Sequence, residues 1–253
     1  MFDPARPTLK RRLADGKPLG VFWFALGNVS IIEAAVAAGA EAVIIDMQHG
    51  LFDRTTLEAA IAVVPPGVPC LVRVEDDSAA AIGRAHDAGA EGVIVPLVEG
   101  ASQAKHAVSA AHFPPKGHRS GGGIRPLRQA GYMAAAADAV AVGLMIETKA
   151  GLANAAAIAA TKDADFVFIG TGDLALSLGT APGSAPHSRA CKTILAACAK
   201  AKKPCGIFTM SPQAAATRSA EGYWMTVVAN DVSTVEDAFT SAAAAFRQAR
   251  GKN

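Results

Sequence analysis

Val142-Gly-Leu-Met-Ile-Glu-Thr-Lys-Ala-Gly151 is an apolar run that ends abruptly in a carboxylate, Glu147. An unbroken apolar run, rather than an alternating one, reads as a strand buried on both faces, the mark of a parallel sheet covered by helices. The same grammar recurs at Ala42-Val-Ile-Ile-Asp46 with His49 just beyond, at Cys70-Leu-Val-Arg73, and at Phe166-Val-Phe-Ile-Gly170 with Asp173 just beyond. Four strands each deliver a polar group at the C-terminal end. Where parallel strands alternate with helices, that edge binds ligands, so the four ends form one candidate site.

Outward from these strands the chain keeps the alternation. Further strands are expected at Gly20–Ala25, Gly92–Pro96, Cys205–Thr209 and Trp224–Val228, which brings the count to eight. Helices fall between them, with capping boxes expected at Ser30/Glu33, Thr55/Glu58 and Ser233/Glu236. Ala38-Gly-Ala-Glu-Ala-Val-Ile-Ile45 returns as Ala88-Gly-Ala-Glu-Gly-Val-Ile-Val95, a period of two βα modules. The pattern breaks at Pro114–Pro126, too rich in Gly and Pro to be regular; it carries Arg119 and Arg125 and reads as a lid or binding loop. The last helix bears a stripe of Val232, Val235, Phe239, Ala242 and Phe246 that should pack on something. Residues 1–253 are therefore expected to form one (β/α)8 TIM barrel, for which about 250 residues is the usual size.

Composition narrows the partners. With a net charge of +2 and scattered Lys and Arg, no basic stripe points to nucleic acid, and a small-molecule partner is expected. Cys70, Cys191, Cys198 and Cys205 lack metal-ligand spacing and read as reduced core thiols, which implies the cytoplasm. Met1–Pro7 lacks the apolar region of a signal peptide, and no apolar run is long enough to cross a membrane.

Glu147 and Asp173 follow neighbouring strands, and two carboxylates without Cys or His suit a hard cation such as Mg²⁺ or Mn²⁺. The competing reading is a pair of solvated loop acids. Arg73 begins so near a core that its guanidinium needs an anionic or carbonyl partner; the bland alternative is an ion pair with a strand-end carboxylate. His49, with Asp46 three residues before it, suits a general base, whereas His86, His106, His112, His118 and His187 have no comparable setting. Gly170-Thr171-Gly172 is a turn whose backbone N–H groups could hold a carboxylate or phosphate. Together these parts fit enolisation of a 2-oxo acid, with Arg73 facing the developing charge. Lys149 leaves a Schiff-base route open.

At these residues the sequence resembles the class II pyruvate aldolases of the HpcH/HpaI family, from about Gly20 to Ala245. The resemblance rests on Ile45-Asp-Met-Gln-His49, Val72-Arg73, Val95-Pro96, Pro114-Pro-Lys-Gly-His-Arg119, Ile146-Glu-Thr148 and Ile169-Gly-Thr-Gly-Asp-Leu174. It implies a phosphoenolpyruvate/pyruvate-type barrel with a swapped C-terminal helix, a hexamer built as a trimer of dimers, and cleavage of a 4-hydroxy-2-oxo acid to pyruvate and an aldehyde. Carried over by position, Glu147 and Asp173 bind Mg²⁺, Mn²⁺ or Co²⁺, Arg73 holds the enolate oxygen, and His49 is the base or positions a water. Asp87 supports that histidine across a subunit boundary, which spacing alone would not suggest. Gly170, Thr171, Gly172 and Asp173 hold the substrate carboxylate, and Gln48 joins Arg73 among the substrate-binding residues, beside the metal waters. Gln48 stands where many relatives have Glu, Met145 where many have Gln, and Thr171-Gly172 where Pro-Ala is common. Altered metal preference, rate or aldehyde range is the expected consequence. A CoA-thioester lyase and a non-catalytic 2-oxo-acid-binding paralogue are the alternatives.

Overall fold

The computed structural model describes residues 8–251, apart from the side chains of 137 and 138. The leader Met1–Pro7 and the last two residues lie outside that range. The elements run α1 (Leu9–Asp15), β1 (Leu19–Phe24), α2 (Val29–Ala37), β2 (Ala42–Asp46), α3 (Arg54–Val63), β3 (Cys70–Arg73), α4 (Ala79–Ala88), β4 (Gly92–Val95) and α5 (Ala101–Ala111). There follow α6 (Ile124–Leu127), α7 (Tyr132–Ala139), β5 (Ala141–Ile146), α8 (Lys149–Ala153), α9 (Ala155–Ala159), β6 (Phe166–Ile169) and α10 (Thr171–Leu178). The chain ends with α11 (Ala185–Lys200), β7 (Cys205–Ile207), α12 (Pro212–Ala220), β8 (Met225–Asn230) and α13 (Asp231–Arg250). The strands pair in chain order, all parallel, and β8 pairs with β1 to close the barrel. The expected (β/α)8 TIM barrel is what the chain forms.

Because side chains alternate along a strand, each strand sends every second residue inward. The inward set includes Val21 and Trp23, Ala42 and Ile44, Leu71, Ile94, Met145, and Phe166 and Phe168, and these pack into one cluster with Met225 and Val227. The other set, including Val43, Val72, Val93 and Val167, packs under the helices. Large and small residues interlock inside: a Cβ at Gly143 would lie 2.3 Å from the Phe166 ring, so glycine there makes room for the phenyl group. Leu9 of α1 is fully buried in the same cluster and sits against Gly92, plugging the end of the barrel where the strands begin. At the seam, the Asp231 carboxylate accepts the N–H groups of Ala25 and Leu26, both at 2.9 Å, tying β1 to the start of α13.

The helices begin earlier than the capping boxes suggest. Asn28, Asp53 and Asn230 are the N-caps, each accepting a backbone N–H three residues on, so Ser30, Thr55 and Ser233 lie inside their helices. The Pro114–Pro126 stretch is no lid over the strand ends. It lies along the outer flank of α4, where Arg119 reaches Asp87 and Arg125 donates to the carbonyls of Glu58 and Ala88. Among the described residues the stripe on α13 is only partly covered: Val232 and Val235 are half-buried, whereas Phe239 is 72% exposed and Phe246 65%. Among the described residues no helix is long and apolar enough to cross a membrane.

One buried histidine sets a pH dependence. His86 is fully buried, donates through Nδ1 to the Ala90 carbonyl at 3.2 Å and leaves Nε2 without a partner. Burial, then the charge of Arg119, pushes its pKa down to about 3. A group whose pKa is depressed on folding contributes stability above its unfolded value, about 6.5, and loses it as pH falls toward the folded value. Urea unfolding should therefore show the wild type losing about 1.4 kcal/mol more between pH 7.5 and 5.5 than a His86→Gln variant. Equal losses would show that His86 does not titrate in this way.

Candidate active site

The inward rows continue past the apolar layers into the polar groups. Ala42 and Ile44 are followed by Asp46, Leu71 by Arg73, Met145 by Glu147, and Phe168 by Gly170. Pairing sets Asp46 directly beside Arg73, and the Ile146–Ile169 pair sets Glu147 beside Gly170. Arg73, Asp46 and Glu147 are all buried at this end of the barrel.

Glu147 is 1% exposed. Its Oε1 accepts the Leu97 N–H at 2.8 Å, while Oε2 is buried with no partner. Burial pushes the carboxyl up to about 7; the Leu97 N–H and Arg73 oppose that rise, and Asp173 adds to it. Asp173 lies in the first turn of α10, close enough for its carboxylate to interact with that of Glu147. A buried acid with an orphaned oxygen beside a second acid is a costly arrangement unless a cation joins it. The donor set, two carboxylates and no thiolate or imidazole, fits a hard divalent ion. Among the described residues no group of three or more His, Cys, Asp or Glu collects, so water or substrate would have to complete the coordination. Gly170 is required here, because a Cβ would lie 2.2 Å from Glu147 Oε2. Gly170→Ala should displace that carboxylate and lower turnover about 10²-fold, the scale of an ångström-sized misplacement. Kinetics near wild type would show that the carboxylate position is not critical.

Arg73 does make the ion pair that was its alternative reading, and its partner is Asp46. Nε donates to Oδ1 at 2.9 Å and Nη2 to Oδ2 at 2.5 Å, a two-pronged contact. Asp46 also accepts Trp23 Nε1–H at 3.3 Å and the N–H groups of Gln48 at 3.0 Å and His49 at 3.3 Å. The guanidinium lies 5.0 Å from the centre of the Trp23 ring. Asp46 is thus an anchor for Arg73 and for the backbone of His49, not a partner for the imidazole. The His49 side chain is exposed. Trp23 escaped notice in the sequence because it reads as one more core aromatic; its inward place in β1 is the only signal.

Gly170-Thr171-Gly172-Asp173 forms the junction from β6 into α10, and no side chain caps it. The first N–H groups of a helix have no acceptor within it, which leaves them available at the barrel mouth. Gln48 is half-buried, with Oε1 buried and unpartnered. Lys149 is exposed. Asp87 does not join these groups in one chain: it sits on α4, paired with Arg119 at 2.8 Å, in an outer cavity of about 820 Å³ that Arg84, Arg125 and Arg128 also line.

Comparisons with known proteins identify the family of the barrel. Residues 20–247 match the HpcH/HpaI aldolase/citrate lyase family profile. A 4-hydroxy-2-oxovalerate aldolase of Rhodococcus jostii is 33% identical, covering 95% of this chain and 96% of its own. A hydroxypyruvate/pyruvate aldolase of Rhizorhabdus wittichii is 36% identical over 88% and 92%. Among solved structures, an HpcH/HpaI aldolase/citrate lyase family protein from Burkholderia cenocepacia superposes with a TM-score of 0.88 at 32% identity, covering 94% of this chain and 98% of its own. A barrel that brings Glu147, Asp173 and Arg73 to one end, matched along nearly all its length by these relatives, belongs to the HpcH/HpaI aldolase/citrate lyase family.

Proposed function

We propose that the chain is a class II aldolase, a lyase that reversibly cleaves a 4-hydroxy-2-oxo acid to pyruvate, or a related 2-oxo acid, and an aldehyde. The observation that carries this reading is the buried, unpartnered Oε2 of Glu147 beside Asp173. The names of the relatives support the same reaction class. Glu147 and Asp173 would hold a divalent cation, Mg²⁺, Mn²⁺ or Co²⁺, which would supply Lewis acidity when bound. The α10 N–H groups at Thr171, Gly172 and Asp173 hold the substrate carboxylate, and Gly170, whose own N–H pairs with the Ile146 carbonyl at 3.3 Å, opens the turn. Arg73, locked by Asp46, keeps Nη1 for the oxygen on which enolate charge develops. His49 takes the proton directly or through a water that Gln48 helps to orient, and Asp87 of a second copy supports it. The release of pyruvate from 4-hydroxy-2-oxo acids, followed with and without chelator, tests the assignment. Release that needs added metal is expected; release indifferent to chelator would move the chemistry elsewhere.

The exposed Phe239 and Phe246 on α13 support a helix swapped between subunits in a hexamer, a trimer of dimers. Sedimentation should find that assembly, and a monomer would contradict it. The four buried free thiols support a cytoplasmic location.

A further inference from the structure

His187 lies in the first turn of α11, and the function proposed above leaves it without a role. Its ring is 3% exposed, and both nitrogens meet backbone. Nδ1 accepts the Gly183 N–H at 3.1 Å. A backbone N–H only donates, so the ring proton sits on Nε2 and is given to the Thr171 carbonyl at 3.0 Å. The Thr171 hydroxyl meanwhile donates to the Phe208 carbonyl at 3.2 Å, so this residue is held from two sides. The turn needs such holding. Thr171 stands between two glycines: Gly170 is packed against Glu147, but around Gly172 nothing lies within 4 Å of where a Cβ would be, so no neighbour packs on that side of the turn.

We propose that His187 is a positioning residue: its Nε2–H bond to Thr171 sets the direction of the first N–H groups of α10, and with them the carboxylate-binding turn and Asp173. The substrate side of this role rests on the aldolase reading; the tether itself does not. Sequence pattern could not reveal it, because the two close partners of the ring are backbone atoms sixteen and four residues away, with the Cys191 Sγ a more distant neighbour of Nε2 at 3.9 Å.

Two substitutions separate the two bonds. The amide nitrogen of Gln reaches the place of Nε2, so His187→Gln keeps the donor to Thr171. The amide oxygen of Asn reaches the place of Nδ1, so His187→Asn keeps only the acceptor for Gly183. Loss of one buried hydrogen bond should make the Asn variant raise KM for the 2-oxo acid about tenfold with kcat within about threefold, while the Gln variant stays within about twofold of wild type. Hydrogen exchange at the Leu174 amide, bonded to the Gly170 carbonyl at 3.0 Å in the same turn, reads the tether without turnover: faster in Asn, protected in Gln. Equal exchange in both variants, or a Gln variant as impaired as Asn, would overturn the assignment. If the wild type shows no turnover yet the exchange pattern holds, the tether stands and the aldolase reading alone fails.

Discussion

Glu147→Gln should cut kcat/KM for a 4-hydroxy-2-oxo acid by about 10³-fold or more, since a Lewis-acid contact is worth several kcal/mol and each 1.36 kcal/mol is tenfold. Asp173→Asn should act in the same direction. The fold should survive, and the Gln variant should gain stability. With its carboxyl pushed up to about 7 by burial, Glu147 favours folding only while protonated. That contribution is present below the unfolded value near 4.5 and is lost as pH rises through about 7. In chelator at pH 8, Glu147→Gln should therefore unfold at higher denaturant than wild type, by about 3 kcal/mol at most. Added Mg²⁺ or Mn²⁺ should narrow or reverse that gap by stabilising only the wild type. A variant that keeps turnover, or a wild type that metal leaves unchanged, would remove Glu147 from the site.

The second large effect is expected at Arg73. Arg73→Lys keeps the charge but cannot span both oxygens of Asp46 while presenting a further N–H to substrate. A loss of about 10² to 10³ in kcat follows if that N–H faces charge that develops only in the transition state. Asp46→Asn should show a weaker version of the same defect, because it loosens Arg73 without removing it. Steady-state kinetics on the three proteins, with circular dichroism as the check on folding, decide the matter. A change confined to KM would mean that Arg73 binds the ground state alone.

How much of this was legible in the sequence depended on which atoms carry the information. The strand ends were readable because an apolar run that stops at Glu147, Arg73 or Asp46 places a polar group at a fixed step past the core. The eight-fold count followed from the same runs. Partner choice was not readable: Asp46 stood near His49 in sequence, but the adjacent strand brings Arg73 to it, and register is a property of the sheet. The helix starts were misplaced for a local reason. Asn28, Asp53 and Asn230 accept N–H groups as well as Ser or Thr does, so the Ser/Thr–Glu pairs mark points two or three residues inside the true helix starts. The Gly/Pro-rich stretch looked like a lid because its composition excludes regular structure, yet Arg119 buries itself between Asp87, Tyr132 and Phe113 and draws the stretch to the flank of α4. The α13 stripe is legible as a pattern, and its outer members Phe239 and Phe246 are exposed.

The most direct test of the central claim is exchange of the pyruvate methyl protons with deuterated solvent, followed by NMR in purified protein with each of Mg²⁺, Mn²⁺ and Co²⁺ and with chelator. It needs no knowledge of the aldehyde. The account predicts exchange that requires metal and vanishes in Glu147→Gln. Exchange that survives chelation would contradict it and direct attention to Lys149, and no exchange in protein shown to bind pyruvate would mark a binding protein that does not form the enolate.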